Sequence, residues 1–273
     1  MSAANDSSEV KRISTGITGL DGLLQGGFLP NRSYVVAGDA GSGKTIACMQ
    51  FVLAGLDRGE TAVYVTVDER PADILQTALS LGLNLATYIQ EKKLAILDAS
   101  LYFTGRAAGV GEKGVDLSRF VTDLADYANK LKPTRLTIDP LTPLIISKDA
   151  SVHPQENART LFHLLQTQLS TTNLLTAHLQ NGLNDSASSA IEQFISAGVI
   201  ILSQHRTQYS VVRTLEIKKM RGTAVEPGEY QFRIAALQGI TLVAAGGAVS
   251  SDPAPRRTLQ SFELPETGLT QQR

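Results

Sequence analysis

"GDAGSGKT", Gly38 to Thr45, stands between the apolar run "SYVVA" (Ser33 to Ala37) and the run "IACMQFVLAGL" that begins at Ile46. It satisfies the pattern G-x-x-x-x-G-K-[ST] at Gly38, Gly43, Lys44 and Thr45, with a further glycine at Gly41. At ordinary residue frequencies a chain of this length would show that pattern by chance roughly one time in a hundred. The context narrows the reading. A strand leading in and a helix leading out is the arrangement in which successive backbone N–H groups and a helix N-terminus face an anion. Glycine is needed because a Cβ would keep the backbone from wrapping phosphates. Lys44 supplies a point charge to the β and γ phosphates, and the Thr45 hydroxyl can ligate Mg²⁺. The expected ligands are therefore a nucleoside triphosphate and Mg²⁺, with Gly38, Asp39, Ala40, Gly41, Ser42, Gly43, Lys44 and Thr45 as the nucleotide cradle.

Outward from this loop, short β-branched runs recur: "AVYVTV" (Ala62 to Val67), "LAILDA" (Leu94 to Ala99), "RLTID" (Arg135 to Asp139), "NLLTA" (Asn173 to Ala177) and "GVIIL" (Gly198 to Leu202). They read as buried strands. Between them lie helical periods, Leu117, Phe120, Val121, Leu124 and Leu131, then Ala158, Leu161, Phe162, Leu165 and Leu169, each set giving one apolar face. Alternating strands and helices predict an α/β fold with a mostly parallel twisted sheet flanked by helices. From Arg213 the pattern changes to "RTLEIKKM", "GEYQFRIAAL" and "GITLVAA", joined by Gly and Pro turns, which predicts an antiparallel edge extension.

A phosphate cradle alone hydrolyses nothing. Asp139, closing an apolar strand before a proline, is the candidate second magnesium ligand; the alternative is a turn or cap residue before "PLTPL". In "YVTVDERP" Asp68 and Glu69 stand at a strand end where a carboxylate could polarise a water, and they are also ordinary helix-start residues before Pro71. His178, after "NLLTA", reads either as a γ-phosphate sensor or as a satisfied strand-end histidine. The four histidines show no metal-ligand spacing with one another or with Cys48, which argues against structural zinc.

Composition bounds the function classes. Among 273 residues, 25 Lys and Arg balance 26 Asp and Glu, a net charge of −1, so no global basic field draws the chain to nucleic acid or acidic membrane. The single cysteine, Cys48, cannot form an internal disulfide and reads as a small buried hydrophobe. With no long apolar stretch and a polar start, the expected location is cytoplasmic. Residues 1–10 are expected to be flexible, residues 11–248 to form the domain, and residues 249–273 to be a disordered tail or a docking peptide on "LQSFEL". The Gly-rich segment "FTGRAAGVGEKGVD" (Phe103 to Asp116) reads as a surface loop rather than a second phosphate site.

The segments "ISTGITGLDGLLQGGFLPNRSYVVAGDAGSGKT", "YVTVDE", "RLTIDPLT", "IEQFISAGVIIL" and "LEIKKMRGTAVEPGEYQFRI" together resemble the KaiC-like branch of the RecA superfamily of ATPases. The resemblance runs over nearly the whole ordered length, and "TGLDGLLQGGF" and "KMRGT" are more specific than the glycine loop. It implies a single RecA-like core assembling into a homo-oligomeric ring, usually of six subunits, with ATP at each interface. It also implies that Lys219 and Arg221 of "KMRGT" reach the γ-phosphate held by a neighbouring subunit. By composition alone "EIKKMRG" reads as a solvated edge strand. The family's strand-end pair is usually two glutamates; Asp68 replaces the first, so which acid orients the water is open, and slow hydrolysis is expected. Where the clock relative's second domain carries a Ser-Thr pair that accepts phosphate, this chain has Gln193 and Phe194, so autophosphorylation there is not expected. Ser186, Ser188 and Ser189 read as loop and cap residues, the alternative being that they accept phosphate.

Three functional classes follow: a nucleotide-dependent signalling or regulatory switch acting on an unidentified protein partner, a RecA/RadA-like DNA-acting ATPase, and an ATP-binding scaffold with little turnover. The DNA reading needs basic mobile loops, and the candidate loop "QNGLNDSASS" carries Asp185 but no Lys or Arg.

Overall fold

Strand β1 (Ser33–Gly38) carries the chain into the glycine loop and helix α2 (Lys44–Leu56) carries it out. This computed structural model describes residues 10–100, 102–103, 115–145, 154–179, 196–206 and 210–243. Ahead of β1 is one helical turn, α1 (Leu20–Leu23). After α2 come β2 (Ala62–Thr66), α3 (Pro71–Ser80), α4 (Ala86–Gln90), β3 (Leu94–Asp98), α5 (Leu117–Leu131), β4 (Arg135–Asp139), α6 (Thr142–Ile145), α7 (Pro154–Gln168), β5 (Thr172–His178), β6 (Gly198–Arg206), β7 (Val211–Met220), β8 (Glu229–Ala235) and β9 (Gly239–Leu242).

All nine strands join one sheet in the order β3-β2-β4-β5-β1-β6-β7-β8-β9. The first six in that order run parallel, and β7, β8 and β9 follow β6, each antiparallel to the strand before it, as the change of pattern after Arg213 predicts. Two differences from the sequence reading have a pairing cause. β6 runs on past Leu202 to Arg206 because β7 matches it along its full length, Arg206 opposite Val211. And β7 is interior to the sheet over its first half, where Arg213 to Glu216 pair with β8, while the segment after Glu216 pairs with β6 alone.

Pleating divides the core into two layers. Along β1, Tyr34 and Val36 face a cluster built with α2, α3 and the N-terminal segment, while Val35 and Ala37 face a cluster built with α5, α6 and α7. Helix α5 starts where the Asp116 carboxylate accepts a 3.0 Å hydrogen bond from the Arg119 N–H, and it stops at Lys132 in a left-handed turn, φ 52°. Helix α2 is buried on most of its surface, including Gln50. The Gln50 amide donates to the carbonyls of Gly16, Gln238 and Ile240 and accepts from the Ile240 N–H, tying the glycine-loop helix to the far antiparallel strand. The calls on residues 1–9, the Gly-rich segment at 104–114, the loop 180–189, Gln193, Phe194 and the tail 249–273 lie outside the described residues.

Candidate functional site

The glycine loop sits at the carboxyl end of β1, beside the carboxyl ends of β5 and β6. Its first glycine is held by close approach: a Cβ at Gly38 would strike the Leu202 carbonyl oxygen and come within 2.6 Å of Ser42 Oγ. Gly41 and Gly43 take left-handed φ values, 76° and 107°, which favour glycine and turn the chain into α2. Gly38→Ala is therefore expected to force β1 and β6 apart and to lower unfolding stability by about 1–3 kcal/mol, readable in a urea titration.

Lys44 is buried, and its ammonium donates to the carbonyls of Gly38 and Asp39, both at 2.8 Å. Burial lowers its pKa, and the negative charges of Asp139 and Asp39 act against that shift. Ser42 Oγ is buried with no hydrogen-bond partner among the described residues. Asp39 and Thr45 are partly buried, and Ala40 is exposed with its carbonyl bonded to Gln204 at 3.2 Å.

Asp139 ends β4, and β5 separates that strand from the glycine-loop strand. Its buried carboxylate is gripped from both sides. The Tyr64 hydroxyl on β2 donates to Oδ2 at 2.6 Å, and the Thr176 hydroxyl on β5 donates to Oδ1. Sequence reasoning identified Asp139 but not these two partners, since only the sheet order brings β2 and β5 to either side of β4. Asp68 and Glu69 lie just beyond β2, in a turn where the Thr66 hydroxyl donates to the Glu69 carbonyl at 2.6 Å. Burial, then the Asp139 charge in the case of Glu69, raises both carboxyls; His178 partly offsets the rise at Asp68. His178 is the register partner of Gly38 on the adjoining strand, and burial followed by the field of Lys44 lowers its pKa. These groups form one electrostatically coupled cluster.

Lys219 and Arg221 are at the other end of the sheet. Lys219 is opposite Val199 at a β-bulge that leaves Lys218 as the extra residue, and the Arg221 N–H donates to the Ala197 carbonyl at 2.8 Å. Ala197 in turn bonds to Ser33, the first residue of β1, five residues before Gly38. At strand rise that is about 16 Å from the subunit's own glycine loop. Burial, then the nearby Arg221 charge, lowers the Lys219 pKa.

The donor set fits a magnesium nucleotide: a cradle whose first glycine has no room for a Cβ, an unpartnered buried hydroxyl, a buried ammonium, and a buried carboxylate electrostatically coupled to it. A family model described as the KaiC ATPase matches residues 13–246. This chain belongs to the KaiC ATPase family. Among relatives of that family, the circadian clock oscillator protein KaiC of Thermostichus vulcanus is 37% identical over 230 residues, which are 84% of this chain and 43% of the clock protein. The chain thus spans less than half the length of the clock proteins it matches. A UPF0273 protein of Methanopyrus kandleri is 32% identical over 231 residues, 82% of this chain and 89% of that one. Among solved structures, a KaiC-like protein from the hyperthermophilic archaeon Pyrococcus horikoshii matches with a TM-score of 0.72 at 28% identity, covering 86% of this chain and 99% of that chain. The fold is the RecA-type α/β fold of KaiC-like proteins. Among the described residues of this KaiC-family chain, no helix is long and apolar enough to cross a membrane.

Proposed function

We propose that this chain is a Mg²⁺-dependent ATPase that works as a homo-oligomeric ring, six subunits by family resemblance, and passes its nucleotide state to a protein partner. The observation that carries the ring reading is the distance of Lys219 and Arg221 from their own glycine loop. Side chains at the amino ends of the strands cannot serve a phosphate at the carboxyl ends of the same sheet, but they can serve one carried by an adjoining copy.

In this reading Gly38 to Thr45 wrap the phosphates, and the Lys44 ammonium exchanges its two carbonyl partners for β and γ oxygens. When bound, Mg²⁺ held by Thr45 and Asp139 neutralises charge on the β and γ oxygens. Tyr64 and Thr176 keep the Asp139 carboxylate oriented, each leaving one oxygen with a further lone pair. Asp68 and Glu69 compete to orient the attacking water, and their raised pKa values bring them nearer to the range in which a carboxylate accepts a proton near neutral pH. Lys219 and Arg221 of a neighbour supply positive charge that neutralises the negative charge developing in the transition state. With an Asp as the first acid, turnover is expected to be slow.

Steady-state hydrolysis measured against protein concentration tests the ring reading. The rate per subunit is expected to rise and level off as copies complete one another's sites. Arg221→Ala is expected to leave ATP affinity within about twofold while lowering the plateau rate by about tenfold to a hundredfold. Equal loss of affinity and rate in Arg221→Ala would overturn the trans assignment. A rate per subunit independent of concentration, from a protein shown to be monomeric, would overturn the ring.

A further inference from the structure

The half of β7 that carries Lys219 runs beyond the cover of β8, so Lys219 and Arg221 lie on chain that the sheet holds from one side only, through β6 and the bond from the Arg221 N–H to the Ala197 carbonyl. A strand end held along one side frays, and a cation on a frayed end loses its aim. The amino-terminal segment closes the open side. The Arg12 guanidinium donates to the Gly222 carbonyl at 3.3 Å and to the Thr223 hydroxyl at 2.6 Å, in the turn that follows Arg221. The same group donates to the carbonyls of Leu24 and Gly27, at 3.3 and 3.2 Å. Beside it, the Gln25 amide donates to the Ala224 carbonyl at 3.3 Å.

This clamp is itself anchored. Ile13 and Phe28 exchange two backbone hydrogen bonds of 2.8 Å, and the Phe28 ring stacks 4.0 Å from that of Tyr34 on β1. The Asp21 carboxylate accepts from the hydroxyls of Ser14 and Thr15 and from the Thr15 N–H, at 2.6 to 2.7 Å. The turn after β7 is thereby fixed relative to β1, the strand whose other end opens the glycine loop.

We infer that Arg12 is a positioning residue for hydrolysis, which aims Lys219 and Arg221 by clamping the turn that follows them. The inference rests on the ring reading above. Four acceptors spread over two chain segments suit the flat fork of a guanidinium, whereas an ammonium presents its three donors from one point. None of these bonds involves Gly38 to Thr45, so losing them should spare nucleotide binding and slow turnover on the adjoining copy.

Arg12→Met keeps an apolar stem and removes the fork. The plateau rate of hydrolysis is expected to fall about threefold to tenfold with the half-saturating ATP concentration within about twofold, and Arg12→Lys should recover part of the loss. Mixed subunits give a readout that a purely structural role would not move. Chains carrying both Asp68→Asn and Glu69→Gln are expected to hold nucleotide without turning it over, and they keep an intact Arg12. Mixed in equal amount with Arg12→Met chains and left to exchange subunits, they should raise the rate per Arg12→Met chain about twofold to fivefold, because many of its sites then face a well-aimed turn. An unchanged plateau in Arg12→Met, or a lowered plateau that mixing leaves where it was, overturns the inference. Should Arg12→Met melt well below the parent, Arg12→Lys carries the same mixing test. The mixture with Arg221→Ala in place of Arg12→Met decides the reading beneath. Recovery for Arg221→Ala without recovery for Arg12→Met overturns the clamp alone, and recovery for neither overturns the trans assignment together with the clamp.

Discussion

Lys44→Ala is expected to weaken ATP binding about a thousandfold. The ammonium is buried and bonds two loop carbonyls at 2.8 Å, and the charges of Asp139 and Asp39 favour its protonated form against the cost of burial. In the proposed complex those two bonds become charge-assisted bonds to phosphate oxygens, each contributing about 1.5–3 kcal/mol, so losing both costs about 4 kcal/mol. The nucleotide-free protein should fare differently. Removing a cation whose burial is already unfavourable leaves two carbonyls without a donor but relieves desolvation, so the melting temperature without ligand should move little. Thermal denaturation with and without Mg-ATP separates the two effects. At ATP a hundredfold above its dissociation constant the parent gains about 2.7 kcal/mol of stability, whereas at the same concentration the variant should gain less than about 0.1 kcal/mol. A variant that keeps the full ATP-dependent shift would sink the assignment of this loop as the nucleotide cradle.

That loop is legible in the sequence because all its determinants are local: glycine spacing, an apolar run before it and a helix-forming run after it. Strand periods gave the parallel layers and the antiparallel extension for the same reason. What local pattern cannot carry is sheet order. Asp139 can be nominated from its own segment, but Tyr64 and Thr176 hold it only because β2 and β5 come to lie on either side of β4, and neither hydroxyl differs from any other in the sequence. The same blindness hides where "EIKKMRG" leaves the shelter of β8. β8 pairs with β7 only as far as Glu216, the first residue of that segment, and Lys218 and Arg221 beyond it are exposed. Arg12 and Thr223 lie 211 residues apart along the chain, and only the folded amino-terminal segment brings them within hydrogen-bond reach.

Arg135 is a fully buried cation whose replacement should have the largest effect on stability. It opens the strand "RLTID", where a charged first residue ordinarily points to water, but its side chain is fully buried. The guanidinium donates to the carbonyls of Ser14 and Phe51 at 2.7 and 2.8 Å, pairs with Glu60 at 2.7 Å, and stacks 4.8 Å from the centre of the Phe51 ring. Gly55 is glycine because a Cβ there would strike the guanidinium. One cation thus joins the N-terminal segment, the glycine-loop helix and the start of β4. Arg135→Ala strands two buried carbonyls, unpairs Glu60 and leaves a void, which together should cost about 3–5 kcal/mol and lower the melting temperature by about 6–20 °C. Glu60→Gln keeps an acceptor and should cost less, about 1 kcal/mol. The two variants also differ from the parent in acid. Burial alone would raise the Glu60 carboxyl, but the Arg135 hydrogen bond and charge, helped by Thr134 and Arg58, outweigh it and hold the carboxyl below its ordinary value of 4.5. A group depressed on folding adds stability that is fully present above its unfolded pKa and is lost as pH falls through the folded one. The gap between the parent and Glu60→Gln should therefore be constant above pH 5 and narrow progressively below about 4.5. A gap that persists unchanged down to pH 3 would mean that Glu60 gains nothing from its ionised form, and that Arg135 is held by its carbonyls alone.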